Sequence, residues 1–145
     1  VTVAEITLHV GYGTFEPVRV EEMSEHAVSP EIYEMSAETA ELLNTAKADG
    51  RRIVAVGTTT TRALETNIAR VGRFTEGVHE ADLTVLPGHK FEAVDALLTN
   101  FHLPMSSLLA LVSTFGGHEL IMSSYRHAVA SGYRFYSYGD CMLIT

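Results

Sequence analysis

A single cysteine, Cys141, stands in the 145 residues. It excludes an intrachain disulfide and points to a reducing, cytosolic setting. Its place in the apolar run Cys141-Met142-Leu143-Ile144 marks it as a buried strand residue rather than a nucleophile. Positive charge is scarce too: ten Lys and Arg face eighteen Asp and Glu, a net charge of −8. Nucleic-acid binders draw much of their affinity from neutralising phosphates, so this chain alone makes a poor RNA-binding module. No apolar run approaches the roughly 20 residues of a membrane span, and neither a membrane segment nor a charged-then-apolar leader is expected.

Several chemical signatures are also missing. The seven histidines show no HxxxH spacing and no CxxC accompanies them, so no metal site is expected. Ser106 or Ser107 can be drawn into a triad with His102 and Asp140, but Gly-x-Ser-x-Gly is absent and Ser106 is better explained as a helix cap. The Walker lysine pattern is absent, which argues against nucleoside-triphosphate hydrolysis. Gly11-Tyr12-Gly13-Thr14-Phe15 resembles half of a dinucleotide fingerprint, yet Glu16-Pro17 stands where the third glycine and a helix belong. The loop keeps one use, a close approach of backbone to a ligand or another strand.

What remains is a globular composition, 46% hydrophobic and 19% charged, in one domain's length. Strand-like sequence at both Val1 and Thr145 leads us to expect a fragment of a longer protein. Alternation predicts a strand over Val3 to Val10, with Ile6, Leu8 and Val10 on one face and Thr7 and His9 on the other. Glu21 to Pro30 reads as irregular. Ser36 then caps a helix from Ala37 to Ala48, closed by Gly50. A short buried strand from Arg52 to Gly57 leads into Thr58-Thr59-Thr60-Thr61-Arg62 and a helix bearing Leu64, Ile68 and Val71. Val71 to Asp82 reads as a loop, Leu83 to Leu86 as a strand, and His89 and Lys90 as solvated. The apolar strand Val94 to Leu98 runs into Thr99-Asn100-Phe101-His102-Leu103-Pro104, with helices over Ser106 to Phe115 and His118 to Ala130. A last strand, Tyr133 to Tyr138, turns at Gly139-Asp140. Strands alternating with helices predict an α/β fold, a mixed and mostly parallel sheet with flanking helices, without linker or internal repeat.

The turn at His102 concentrates the chemistry: an imidazole that titrates near neutrality, the Asn100 amide and two hydroxyls at a helix start, beside a strand end. The hydroxyl run after Gly57 makes a second such place, where free N–H groups and the helix dipole favour an anion or ribose. Helix capping by Thr59 or Thr60 and a surface position for Arg62 explain those residues equally well. His9, Thr14, Thr58, Thr59, Arg62, Glu65, Asn100, His102, Ser106, Arg134, Tyr138 and Asp140 thus form a polar set around strand ends. Such a set is fit to hold a ribose and a carboxylate: acids and hydroxyls on the sugar, Arg on the carboxylate, His for a proton.

Longer blocks carry a resemblance. Leu8-His9-Val10-Gly11-x-Gly13-Thr14-Phe15-x-Pro17-Val18, Val56-Gly57-Thr58-Thr59-x-x-Arg62-x-Leu64-Glu65 and Pro87-Gly88 are the first three. Thr99-Asn100-Phe101-His102-Leu103-Pro104-x-Ser106-Ser107-Leu108 and Tyr133-Arg134-Phe135-x-Ser137-Tyr138-Gly139-Asp140 complete them. In these blocks the chain resembles the S-adenosylmethionine:tRNA ribosyltransferase-isomerase family of queuosine biosynthesis, over nearly its whole length. The resemblance implies transfer and isomerisation of the ribosyl group of S-adenosylmethionine onto 7-aminomethyl-7-deazaguanine in tRNA. Epoxyqueuosine forms, adenine and methionine leave, and S-adenosylmethionine is a substrate, with no metal or redox cofactor. It implies catalytic roles for His9, His102 and Asp140. Gly11, Gly13, Thr14, Thr58, Thr59, Arg62, Glu65, Asn100, Ser106, Arg134 and Tyr138 are the implied substrate-binding residues.

The same resemblance makes residues 1–145 the C-terminal part of the α/β catalytic domain of a two-domain cytoplasmic enzyme. A Pro-Thr-Ala-Gly-Leu-His-Phe block, a barrel-like domain and the tRNA surface are expected outside it. Ser29 stands where the family usually has a second histidine, three residues after His26. That departure keeps two alternatives in view: a paralogue with a non-tRNA acceptor, and a non-catalytic nucleoside-binding fragment.

Overall fold

The computed structural model describes residues 1–11, 17–20 and 22–145. In order come β1 (Thr7–His9), a 3-10 turn (Met23–Glu25), β2 (Glu31–Met35), α1 (Ala37–Ala48), β3 (Val54–Val56) and α2 (Thr58–Val71). Then follow β4 (Gly77–Ala81), β5 (Ala96–Asn100), α3 (Ser107–Gly116), α4 (His118–Ala130), a 3-10 turn (Tyr136–Tyr138) and β6 (Cys141–Ile144). One sheet has the order β1-β2-β4 and is antiparallel throughout. The other has the order β3-β5-β6, with β3 and β5 parallel and β6 antiparallel to β5.

The mixed α/β class is as expected, but the sheet is not mostly parallel: among the described residues β3–β5 is the one parallel pair. The extra antiparallel strands had no clear apolar period. In β2 the inward positions are Glu31, Tyr33 and Met35, so a buried carboxylate interrupts the alternation. In β4, expected as loop, only Ala81 is fully buried. Leu83 to Leu86 forms no strand, and the expected strand Tyr133 to Tyr138 is irregular with one 3-10 turn. Its aromatics cluster instead of alternating. Tyr133 and Phe135 lie 5.7 and 5.3 Å from the Phe101 ring, which Tyr125 meets edge-on at 5.3 Å.

Helix termini follow their caps. Ser36 Oγ accepts from the Thr39 amide at 3.1 Å, and Gly50 adopts φ +66° past the end of α1. Ser106 Oγ accepts from the Leu109 amide at 3.1 Å at the start of α3. α2 differs: Gly57 stands at its N-cap with φ +94° and no side chain caps it, so neither Thr59 nor Thr60 does. The leucine-rich α3 buries Leu108, Leu111 and Val112. Leu111 and Val112 join a core that runs from Tyr33 and Met35 through Leu64 and Leu97 to Ala128 and Ile144. The entry to the parallel pair is clasped: the Ile53 amide donates to Asp95 Oδ2 at 2.7 Å, and the Asp95 and Ala96 amides return to the Ile53 carbonyl. Among the described residues no helix is long and apolar enough to cross a membrane.

Candidate functional site

Pairing register decides which polar residues meet. β3 and β5 align Val56 with Leu98, and the Gly57 amide donates to the Leu98 carbonyl at 2.8 Å. The carboxyl ends of both strands therefore finish together, Gly57-Thr58 beside Thr99-Asn100. β6 aligns Cys141 with Asn100, which brings Asp140 to the same end. Asn100 Nδ2 donates to the Asp140 carbonyl at 3.1 Å. Asp140 Oδ2 accepts the Arg134 amide at 2.5 Å and Arg134 Nε at 3.2 Å. Those Arg134 contacts hold the Asp140 carboxyl below its ordinary range, so it stays ionised. Tyr138 is exposed on the intervening turn.

His102 lies just past β5 and is 6% exposed. Its Nε2 shares a hydrogen bond with Thr99 Oγ1 at 3.0 Å, and its backbone N–H donates to the Tyr125 hydroxyl at 2.8 Å. Burial pushes the imidazole down to about 4, leaving it neutral at physiological pH. Burial likewise raises the Tyr125 phenol. Two non-glycine residues adopt left-handed backbone: Met105, three residues after His102, at φ +56° and Tyr136 at φ +64°. Each is pinned, Met105 by the Val18 amide on its carbonyl at 2.7 Å and Tyr136 by its own amide on the Phe101 carbonyl at 2.7 Å. Left-handed backbone outside glycine is costly and gathers where the surrounding structure over-determines it, often at functional sites.

Of the expected residues, Thr58, Thr59, Asn100, His102, Arg134 and Asp140 share this strand-end region, with Ser106 one turn beyond. Ser106 donates to the Leu103 carbonyl at 2.8 Å while capping α3, so it, His102 and Asp140 have separate partners and form no triad. His9 belongs to the other sheet, where its Nε2 meets Glu34 Oε1 at 2.9 Å on an exposed face. Gly11 belongs there as well, its amide donating to Glu31 Oε1 at 3.0 Å. Gly13 and Thr14 lie outside the described residues; Pro17, beyond them, bridges to Ser106.

Arg62 and Glu65 turn inward instead. Arg62 is 2% exposed, with Nη1 on Glu31 Oε2 at 3.0 Å and its other nitrogens on the carbonyls of Leu83, Ser29 and Ala81. Burial lowers the guanidinium and Glu31 opposes that shift. A surface position for Arg62 is thereby excluded, and every nitrogen has a protein partner. Glu65 accepts the amides of Glu92, Ala93 and Val94 at 2.9 to 3.0 Å and fixes the approach to β5. Ser29 is exposed and contributes its carbonyl to Arg62.

Some contributors had no sequence signal. Glu31, buried and tied to both Gly11 and Arg62, was hidden by its place in an alternating strand. Tyr125 occupies an expected core position of α4, and only its hydroxyl's partner is new. His89 is not solvated: its Nε2 lies buried, 3.7 Å from Glu65 Oε2. Cys141, expected to be buried, is exposed. An open apolar groove of about 710 Å³ is lined by His89, Met105, Ser106, Leu109 and Met122. Among the described residues no three His, Cys, Asp or Glu side chains converge as a metal would need.

A family model described as "Queuosine biosynthesis protein" matches residues 1–144. A Nitrosospira multiformis relative named S-adenosylmethionine:tRNA ribosyltransferase-isomerase is 51% identical over 155 residues, covering 99% of this chain and 44% of its own. One of the same name from Ralstonia nicotianae is 54% identical over 140 residues, covering 97% of this chain and 39% of its own. The crystal structure of a Thermotoga maritima S-adenosylmethionine tRNA ribosyltransferase superposes with a TM-score of 0.78 at 46% identity, over 98% of this chain and 44% of that one. The chain thus spans less than half the length of each of these relatives.

Proposed function

The chain belongs to the queuosine biosynthesis protein family, and from that premise we propose that it forms the C-terminal catalytic part of a cytoplasmic tRNA-modifying transferase. The reaction moves the ribosyl group of S-adenosylmethionine onto 7-aminomethyl-7-deazaguanine in tRNA and isomerises it, releasing adenine and methionine. The observation that carries this reading is identity of 51 and 54%, over nearly the whole chain, to relatives bearing that enzyme's name.

The strand-end region supports a location for the chemistry. Thr58 and Thr59 at the open start of α2 suit ribose hydroxyls or the methionine carboxylate, and Asn100 and Tyr138 border the same end. Such a reaction needs a base for the acidic proton on the carbon beside sulfonium. A neutral imidazole bonded to Thr99, in a residue whose backbone N–H donates to the Tyr125 hydroxyl, meets that requirement, so His102 is our first candidate for the base. His9 and Asp140 remain the candidates for further proton transfer and charge stabilisation. Arg62 and Glu65 serve by holding Glu31 and the Glu92–Val94 segment in place rather than by touching substrate. With a charge of −8 here, the phosphate contacts to tRNA belong to the remainder of the protein.

The test is adenine release by the longer protein given S-adenosylmethionine and acceptor tRNA. His102→Ala is expected to abolish it with cooperative unfolding retained; full activity in that variant removes His102 from proton transfer. The 145 residues alone are expected to release no adenine. Release by them would show that the site needs nothing further.

A further inference from the structure

His89 stands outside the strand-end region, yet its imidazole is held between a carboxylate and a cavity. The turn that delivers it is Leu86-Pro87-Gly88-His89, closed by the His89 amide on the Leu86 carbonyl at 3.0 Å. Gly88 takes φ +93° there, a conformation glycine adopts without strain. The turn contains the Pro87-Gly88 block, to which the strand-end chemistry gives no task. The His89 ring meets Phe91 edge-on at 4.8 Å, and Phe91 meets Phe115 at 4.6 Å. Its Nε2 is buried without a hydrogen-bond partner, and Glu65 Oε2 lies 3.7 Å away. Glu65 is 2% exposed; its Oε1 accepts two amides and its Oε2 one, which leaves acceptor capacity on the oxygen beside His89. A ring lone pair beside that carboxylate would be repelled. Nε2 therefore carries the proton of the neutral ring, and Nδ1 keeps the lone pair.

The same ring lines the groove of about 710 Å³, a volume within the roughly 300–1,000 Å³ of small-molecule sites. Among the described residues no Asp, Glu, Lys or Arg lines it, and Met23, Met105 and Met122 bring three thioethers to its walls. Such a lining disfavours phosphate, carboxylate and sulfonium groups and suits a flat, uncharged ring, on which thioethers pack well. Ser106 lines it too, so the groove continues from the strand-end region proposed for the ribose. We propose that the groove seats the adenine ring of S-adenosylmethionine, its exocyclic amine donating to His89 Nδ1, with Glu65 as the positioning residue that fixes the tautomer. This rests on the reaction proposed above, which brings two purine-type rings together. Adenine is the uncharged one, whereas 7-aminomethyl-7-deazaguanine carries an ammonium group at neutral pH.

The test is equilibrium dialysis of free adenine and of hypoxanthine against the longer protein. Hypoxanthine has a carbonyl in place of the amine, which sets lone pair against lone pair at Nδ1. Adenine is therefore expected to bind at least about tenfold tighter. His89→Phe keeps an aromatic ring and removes both nitrogens; with cooperative unfolding retained, it is expected to bind the two bases alike. Lost packing alone would weaken both bases and leave the preference intact. Glu65→Gln no longer fixes the proton at Nε2 and should shrink the preference severalfold. Three results with the unaltered protein overturn the proposal: equal binding of the two bases, no adenine binding at millimolar concentration, or tighter binding of 7-aminomethyl-7-deazaguanine than of adenine. So does a preference that survives in His89→Phe. A preference for adenine that His89→Phe abolishes, in a protein that releases no adenine from S-adenosylmethionine and tRNA, would remove the reaction and uphold the groove as an adenine site.

Discussion

His102 carries no charge at neutral pH, because burial holds its imidazole at about 4 while the same group in an unfolded chain protonates near 6.5. Between those values the unfolded chain binds the extra proton. The stability due to the neutral ring is therefore complete above about pH 6.5, is lost as pH falls towards 4, and changes no further below that. The shift corresponds to roughly 3 kcal/mol. Urea unfolding from pH 7 to 4 is expected to show that slope, and His102→Gln to flatten it; equal slopes would mean the ring is solvated. What the sequence revealed at this scale depended on distance along the chain. Ser36 and Ser106 reach their partners three residues away, and both were legible as caps. Arg62 and Glu65 find theirs 19 to 33 residues away, so nothing nearby distinguished an interior clamp from a ligand contact.

The elbow between α3 and α4 depends on having no side chain at Gly116. A Cβ there would stand 2.8 Å from Ile121 Cδ1 and 2.9 Å from Ile144 Cγ2, which packs α4 and β6 onto the end of α3. Gly116→Ala is expected to destabilise by about 1–3 kcal/mol, measured by urea denaturation. Adding Ile121→Val should recover part of that loss, and a neutral Gly116→Ala would show the elbow to be loosely packed. The bounds of α1, α3 and α4 were readable in the sequence to within a residue, α1 and α3 from their serine caps and α4 from its apolar stripe and closing Gly132. The strands were less so. β2 buries a carboxylate for the sake of Arg62, and β4 has one wholly buried side chain, so each lacked the alternation that identifies a strand. The aromatics after Tyr133 imitated a strand but serve as a cluster around Phe101.

Over the whole molecule, α2 joins the two sheets: Arg62 reaches Glu31 and Ala81 at the ends of β2 and β4, while Gly57 at the helix start is bonded to β5. Overall charge and the α/β class were legible from composition and element order. The split into two sheets was not, because strand partners are fixed by long-range register. That same register has a consequence in time. The Ile53–Asp95 clasp closes a span of 42 residues, for which the chain entropy opposing closure is on the order of 3 kcal/mol. Until those ends meet, β3 lacks its one strand partner among the described residues and Gly57 lacks the Leu98 carbonyl, so closure belongs to the barrier that the refolding chain must cross. Asp95→Ala should then slow refolding severalfold in stopped-flow experiments and leave the unfolding rate nearly unchanged. A change confined to unfolding would place the clasp after that barrier. A nascent chain accordingly holds β3 without this parallel partner until β5 has been synthesised, which makes the interval between them a period of exposure to misassembly.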